Sequence, residues 1–292
     1  MIRKLYNTFF AFHSSQSEAE SSTGNISIFP VETLPFERFS HSTLYQNNQN
    51  RYIALITDQQ QSVVTDGQPW IFYVEDVVNI YWVNGEDAIR YCMIDPEQTE
   101  AMEYWMIHIV IPIFLTMRRE LYFLHAGSVL IEDRLIAFMA PSFGGKSTLT
   151  NYFLQQNHPL VTDDKLGTFE RDGVFYGVPS HPYHRPYRNP EDLGLKADSF
   201  GDGEKEITAI YMLEKSAPDG QIMIHELKGI EKFTRLHEGS EMNFFMMNRE
   251  FVRYLSKLAN GVRVFNITVP HDLARLDEVY QSIKHHTLEI SK

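Results

Sequence analysis

Apolar residues fall in short runs over the first third of the chain. The runs at Arg51 to Thr57, Trp70 to Val74, Val78 to Val83 and Ala88 to Ile94 have strand length and are separated by Asp-Gly, Asn-Gly and Pro, residues that tight turns favour. They predict a β-rich first region. From Pro96 to Glu120 the spacing changes: Met102, Trp105, Met106, Ile109, Val110 and Ile113 recur at helical intervals and predict a helix with one broad apolar face. Its most apolar part, Tyr104 to Met117, is shorter than the roughly 20 residues of a bilayer span and contains His108, so the pattern predicts a buried helix and no membrane segment. Residues 13–25, HSSQSEAESSTGN, offer little that packs and read as a mobile loop. The opening MIRKLYNTFFAF is interrupted by Asn7 and Thr8 and lacks a small-residue cleavage site, so it does not read as an export signal.

The second region begins with a hairpin in HAGSVLIEDRLIAFMAP, one strand ending near Ile131, a turn at Glu132 and Asp133, and a second strand running into Pro141. A helix then runs from the glycines at 144 and 145 to about Gln156, and an apolar strand at Leu160 and Val161 ends in Asp163 and Asp164. Another hairpin, TFERDGVFYGV, turns at Asp172 and Gly173. The proline-rich SHPYHRPYRNPED is unsuited to regular structure. Beyond it the pattern predicts a strand at Ile207 to Leu213, a helix near Arg249 to Leu258, a strand at Val262 to Ile267 and a last helix from Asp272. We expect two domains, a β-rich region over residues 1–118 ending in the buried helix and a nucleotide-binding domain over 119–292.

Composition narrows the function. A formal net charge of −12 argues against general nucleic-acid binding, which needs clustered Lys and Arg on the phosphates. The single cysteine, Cys92, excludes an intrachain disulfide and a Cys-rich zinc site, suits a reducing compartment, and reads as a small core hydrophobe. The expectation is a soluble cytoplasmic protein with neither nucleic acid nor membrane as partner; the oligomeric state stays open.

The chemistry sits in Ala140-Pro-Ser142-Phe143-Gly144-Gly145-Lys146-Ser147-Thr148, a Walker A pattern with Ala140 in place of the usual first glycine. A glycine-rich turn lets backbone N–H groups close around phosphate oxygens, and the helix that starts there adds its positive end. Ser142 to Thr148 are thus the candidate nucleotide-binding residues, with Lys146 reaching the β and γ phosphates and Ser147 offering its hydroxyl to Mg²⁺. A strand ending in paired carboxylates soon after such a loop supplies what a magnesium-nucleotide enzyme needs, one acceptor near the metal and one beside the attacking group. Asp163 and Asp164 fit, although an Asp pair after a strand also serves as a turn or cap. His125, just before the strand expected to pair with the loop strand, can approach the pair or simply be a satisfied histidine. His181, His184, Arg185 and Arg188 form a basic loop that suits a carboxylate or phosphate, or else a solvated proline-rich loop. Lys196 and Lys205 flank DSFGDGE, which has the look of a stretch able to close over a nucleotide.

The order His125, hairpin, PSFGGKST, then LVTDD resembles the HPr kinase/phosphorylase family and its relatives with the phosphoenolpyruvate-carboxykinase-like fold, over roughly Leu124 to Ile283. VPSHPYHR, EITAIYMLE and NITVPHDLARLDEV look like the stand-alone members found beside peptide-tailoring genes. The resemblance implies an α/β (α+β) fold, a mixed β-sheet P-loop kinase domain beside the β-rich N-terminal region. It also implies Asp163 as the base that activates a hydroxyl, His125 as its partner, and a peptide serine or small-molecule hydroxyl as acceptor. With Lys146 catalytic, ATP or GTP as donor, and Ser147 and Asp164 on Mg²⁺, the expected activity is transfer of the γ-phosphoryl. Ala140 motivates a second reading, a nucleotide-binding regulatory or assembly module without transfer.

Overall fold

The computed structural model describes residues 1–20, 25–34, 41–46, 51–57, 64–141, 143–187, 191–240 and 248–290. Among them the chain divides into two compact units, one holding Met1–Glu120 with 191–193 and the other holding the rest.

In the first unit, β1 (Ile2–Leu5), β2 (Thr8–Phe12), β3 (Ile26–Pro30), β4 (His41–Gln46), β5 (Tyr52–Thr57), β6 (Pro69–Val74), β7 (Val78–Val83) and β8 (Ala88–Met93) form a sheet ordered β1-β2-β3-β8-β7-β6-β5-β4. Pairing is antiparallel except at β2–β3 and β3–β8. β7 shows the period-2 pattern directly, with Val78, Ile80 and Trp82 buried and the residues between them half-buried. Trp70 and Trp82 stack with centroids 6.5 Å apart. The helical run is continuous: α2 (Thr99–Trp105), a π-helical stretch at Met106–Val110, and α3 (Ile111–Met117), every residue of α3 being buried. At 19 residues, Thr99–Met117 is longer than the apolar stretch counted from the sequence and long and apolar enough to cross a membrane; 83% of its most apolar 18-residue stretch is buried within the protein. The Trp105 ring lies 6.0 Å from that of Phe72, and its Nε1 donates to Glu191 at 2.8 Å, a carboxylate also paired with Arg51 at 2.6 Å.

Two expectations change here, and the opening segment, for which no element was predicted, gains one. Within the polar tract, Gln16–Glu20 form a short helix, α1, which buries Ala19; residues 21–24 lie outside the described set. The opening twelve residues make the β1–β2 hairpin, turning through left-handed Tyr6 and Asn7. Cys92 is half-buried on β8 rather than in the core, its thiol donating to the Glu32 carbonyl at 3.4 Å.

The second unit starts with β9 (Tyr122–Ile131) and β10 (Arg134–Met139), joined by Glu132 and Asp133 at φ +46° and +68°, the twist of a tight hairpin turn. There follow α4 (Lys146–Gln155), β11 (Leu160–Thr162), β12 (Lys165–Arg171), β13 (Val174–Val178), β14 (Tyr183–His184), β15 (Leu195–Lys196), β16 (Lys205–Ser216) and β17 (Ile224–Glu226). The chain ends with α5 (Gly229–Gly239), α6 (Asn248–Gly261), β18 (Val264–Pro270), a 3₁₀ turn at Leu273–Arg275 and α7 (Leu276–Ile290). The fold is a mixed α/β one: β10–β16 and β16–β18 are parallel, the other pairings in the main sheet antiparallel. β16 pairs with β13 at its start and with β10 further along, so β10, β9, β12, β13 and β16 close a circuit.

Both faces of this sheet are covered. Leu135, Ala137 and Met139 of β10 join one cluster with Leu255 and Leu258 of α6, while Ile136 and Phe138 join another with Leu149 and Phe153 of α4 and Tyr280 and Ile283 of α7. That is why LIAFM reads as an unbroken apolar run: alternate residues serve opposite cores.

Candidate active site

β10 ends at Met139, and the chain curls through 140–145 into α4. The Gly144 N–H donates to the Pro141 carbonyl at 2.9 Å, and Phe143 and Gly145 take left-handed φ of +63° and +96°. A Cβ on Gly144 would lie 2.4 Å from that of Ala140 and 2.7 Å from the Pro141 carbonyl oxygen. The curl therefore closes only around glycine, and it accepts the buried Ala140 at the first position because position 144 has no side chain. Lys146 is buried, its ammonium donating to the Ala140 carbonyl at 2.8 Å. Ser147 is half-buried and Thr148 exposed; Ser142 lies outside the described residues.

The Asp pair arrives on β11, whose three residues are all buried and which pairs with β9. A Cβ on Gly127 of β9 would sit 2.2 Å from Thr150 Oγ1 of α4 and 3.7 Å from the Asp163 carbonyl oxygen. At Gly127 the helix α4, the strand β9 and the backbone of Asp163 come together.

The two carboxylates differ. Asp163 is 7% exposed, and its Oδ2 accepts the backbone N–H of Arg185 at 2.7 Å. Burial pushes its pKa above the usual carboxylate range; the Arg185 N–H pulls the other way, and the Asp164 charge adds to the rise. Asp164 is more open and faces His125 Nδ1 at 3.2 Å, Lys165 Nζ at 3.7 Å and Arg185 Nη2 at 3.8 Å. His125 stands opposite Lys165 across the β9–β12 ladder. It thus meets Asp164, whereas the resemblance had linked it to Asp163.

The start of the proline-rich segment, Ser180 to His184, packs beside β11 rather than standing in solvent, and against expectation it holds a short strand, β14. Ser180 donates its N–H to the Val161 carbonyl at 3.0 Å and its hydroxyl to Thr162 Oγ1 at 3.0 Å; His181 and His184 are buried, and β14 pairs with β15. Burial holds the His184 pKa below its usual value, opposed by Asp163 and Asp198. Arg188 lies outside the described residues. The DSFGDGE stretch is tied down: Leu160 donates to the Ser199 carbonyl at 3.0 Å, Gly201 to the Leu160 carbonyl at 2.7 Å, and Lys205 pairs with Asp133 at 2.5 Å. Lys196 is exposed on β15.

Sequence reading missed Gly127, Thr150 and Lys165. The available signal for Lys165 was a cation immediately after the paired carboxylates; Gly127 and Thr150 gave none without knowing that β9 and α4 meet.

These residues fit a nucleotide phosphate and a hard cation. The Gly144–Gly145 curl leaves backbone where a Cβ would intrude, beside a buried ammonium. Ser147 and Asp164 offer oxygen only, as Mg²⁺ prefers. Among the described residues no three His, Cys, Asp or Glu side chains form a ready metal cage; Mg²⁺ takes one or two carboxylates with phosphate and water oxygens instead.

No family model matches the chain, and no curated protein matches it. Among solved structures it is similar to the Hpr(Ser) kinase/phosphatase from Coxiella burnetii, with 14% identity and a TM-score of 0.37 over 58% of this chain and 99% of that one.

Proposed function

We propose that the chain is a nucleoside-triphosphate-dependent kinase that moves the γ-phosphoryl of ATP or GTP to a hydroxyl, a serine of a peptide or a small-molecule alcohol. The packing at Gly127 carries the reading: the place a Cβ would take there is next to both Thr150 of α4 and the Asp163 backbone, so the segment that bears the Asp pair runs beside the helix that follows the glycine loop. Residues 119–292 are the proposed nucleotide-binding domain, residues 1–118 its β-rich companion, and the cytoplasm the proposed compartment.

In this reading the backbone of 143–148 and the Lys146 ammonium hold the phosphates. Asp163 Oδ2 is engaged by Arg185, which leaves Oδ1 to take the acceptor's proton. As that proton leaves, the acceptor oxygen bonds to the γ-phosphorus, the bond from that phosphorus to the β–γ bridging oxygen breaks, and a nucleoside diphosphate departs. Ser147 and Asp164 would hold Mg²⁺, which when bound would neutralise phosphate charge. His125 braces Asp164 from β9.

The test is label transfer from γ-labelled ATP with Mg²⁺ to candidate peptide and small-molecule hydroxyls, read by mass spectrometry beside Asp163→Asn. Transfer lost in the variant with nucleotide binding kept supports the kinase. Nucleotide binding by the unaltered protein without transfer to any acceptor would move the reading to a regulatory module.

A further inference from the structure

The Arg185 N–H that engages Asp163 belongs to the peptide group formed with His184, and the other end of that group, the His184 carbonyl, faces Gly194. A Cβ on Gly194 would lie 2.3 Å from the carbonyl oxygen, 2.9 Å from its carbon and 2.7 Å from Arg185 Cγ. A side chain could turn its tip away, but two of these three atoms are backbone. Gly194 also takes a left-handed φ of +94°. The angle and the missing side chain are separate demands, and they fall on one residue.

The local ladder is short. β14 and β15 pair as Tyr183↔Lys196 and His184↔Leu195, apart from the main sheet, and the Ala197 N–H donates to the Pro182 carbonyl at 2.8 Å. Gly194 stands one residue before Leu195, at the end of this ladder and against the peptide that serves Asp163. A trans peptide is a rigid plane with its C=O and N–H on opposite sides, so pressure on the His184 oxygen tilts the Arg185 N–H as well. That N–H meets Asp163 Oδ2 at 2.7 Å on a carboxylate only 7% exposed, where water is poorly placed to replace a lost bond.

We infer that Gly194 is a positioning residue for Asp163: carrying no side chain over the His184 carbonyl, it lets the His184–Arg185 peptide lie at the tilt that aims its amide at the carboxylate. The consequence for transfer rests on the kinase reading, because a base held by one oxygen presents the other in a fixed direction. Gly194 acts through the peptide alone. A glycine needed only for its backbone angle would not reach Asp163 at all, and Gly173 supplies that comparison, with φ +81° and nothing within 4 Å of its Cβ position.

The experiment follows the Arg185 amide by nuclear magnetic resonance in the full chain labelled with isotopic arginine, the resonance being identified by its loss in Arg185→Ala. Gly194→Ala should move that resonance and speed its hydrogen exchange about tenfold or more. It should also lower kcat about tenfold while nucleotide affinity changes by less than about threefold. Gly173→Ala should lower the melting temperature and leave the amide and kcat in place. Gly194→Asn accepts the left-handed angle more readily but still carries a Cβ, so it should behave as Gly194→Ala does; recovery would assign the effect to the angle and overturn the inference. If Gly194→Ala does not fold, Arg185→Pro deletes the N–H directly and should lose kcat beyond Arg185→Ala, which keeps it. Equal kcat in those two overturns the inference, as does an unmoved Arg185 amide in folded Gly194→Ala. Absence of transfer by the unaltered protein would sink the kinase reading instead, and the amide would still show whether Gly194 aims it.

Discussion

Gly127 and Thr150 approach so closely that a methyl group on the first would lie 2.2 Å from Oγ1 of the second. Thr150 is fully buried on α4, so it cannot swing into solvent to make room. Gly127→Ala should destabilise the second unit by about 1–3 kcal/mol, the usual cost of overpacking. Thermal unfolding of Gly127→Ala, Thr150→Ala and the double variant checks this: the double variant should regain much of the loss, because the colliding hydroxyl is gone. Strict additivity would show that the contact is not the cause.

Asp163 makes activity and stability respond to pH in opposite senses. Its pKa is raised mainly by burial, with Arg185 and His184 opposing and Asp164 assisting. As a base it works only when ionised, so transfer should fall on acidification at a higher pH than an ordinary carboxylate would dictate. The folded state binds this proton more tightly than the unfolded state, so the stability it contributes is present at low pH and is lost as pH rises through the raised folded pKa. Asp163→Asn should therefore raise the melting temperature at pH 7, with little gain below the unfolded carboxylate pKa. An unchanged melting temperature at pH 7 would count against a costly buried charge.

His125→Ala should lower kcat by about 10- to 100-fold with little change in nucleotide affinity, because the imidazole braces Asp164 and not the phosphate loop. Lys146→Ala should do the converse and weaken nucleotide binding at least about tenfold. Calorimetry and steady-state kinetics on the two variants tell these roles apart; matching profiles would merge them.

In the first unit, Glu191 serves both Arg51 and Trp105 with a side chain 11% exposed. Glu191→Ala should cost about 1–2 kcal/mol, since it removes the hydrogen-bond partner of the buried Trp105 and the ion-pair partner of Arg51, which keeps its bond to the Glu75 carbonyl. Denaturant unfolding followed by tryptophan fluorescence reads this directly. Arg51→Met placed on top should cost less than it does alone.

Where one local rule dominates, the chain was legible. Asp66-Gly67 marked the start of β6 and Asn84-Gly85 the turn between β7 and β8, each to within a few residues, and the glycines at 144 and 145 marked the start of α4. α5 was missed although Ile230, Phe233 and Leu236 recur at helical spacing, with Leu236 buried and Phe233 packed against the core. β1 and β2 were missed because Tyr6 and Asn7 form the turn without glycine. In the site, the loop and the carboxylates could be read from spacing, since both lie next to strand ends. The role of Arg185 could not: its backbone N–H, not its charge, engages Asp163, and a sequence does not show which amide a fold will aim at a carboxylate.

The helix that Lys146 opens has its outer wall in α7, where Phe153 meets the Tyr280 ring at 4.9 Å and Tyr152 donates to Asp277 at 3.0 Å. A chain is synthesised in order, so the glycine loop leaves the ribosome long before the residues that brace its helix. Until Tyr280 and Asp277 have emerged, Tyr152 and Phe153 near the end of α4 lack those partners. The helix after the glycine loop thus reaches its final packing late in the life of the nascent chain.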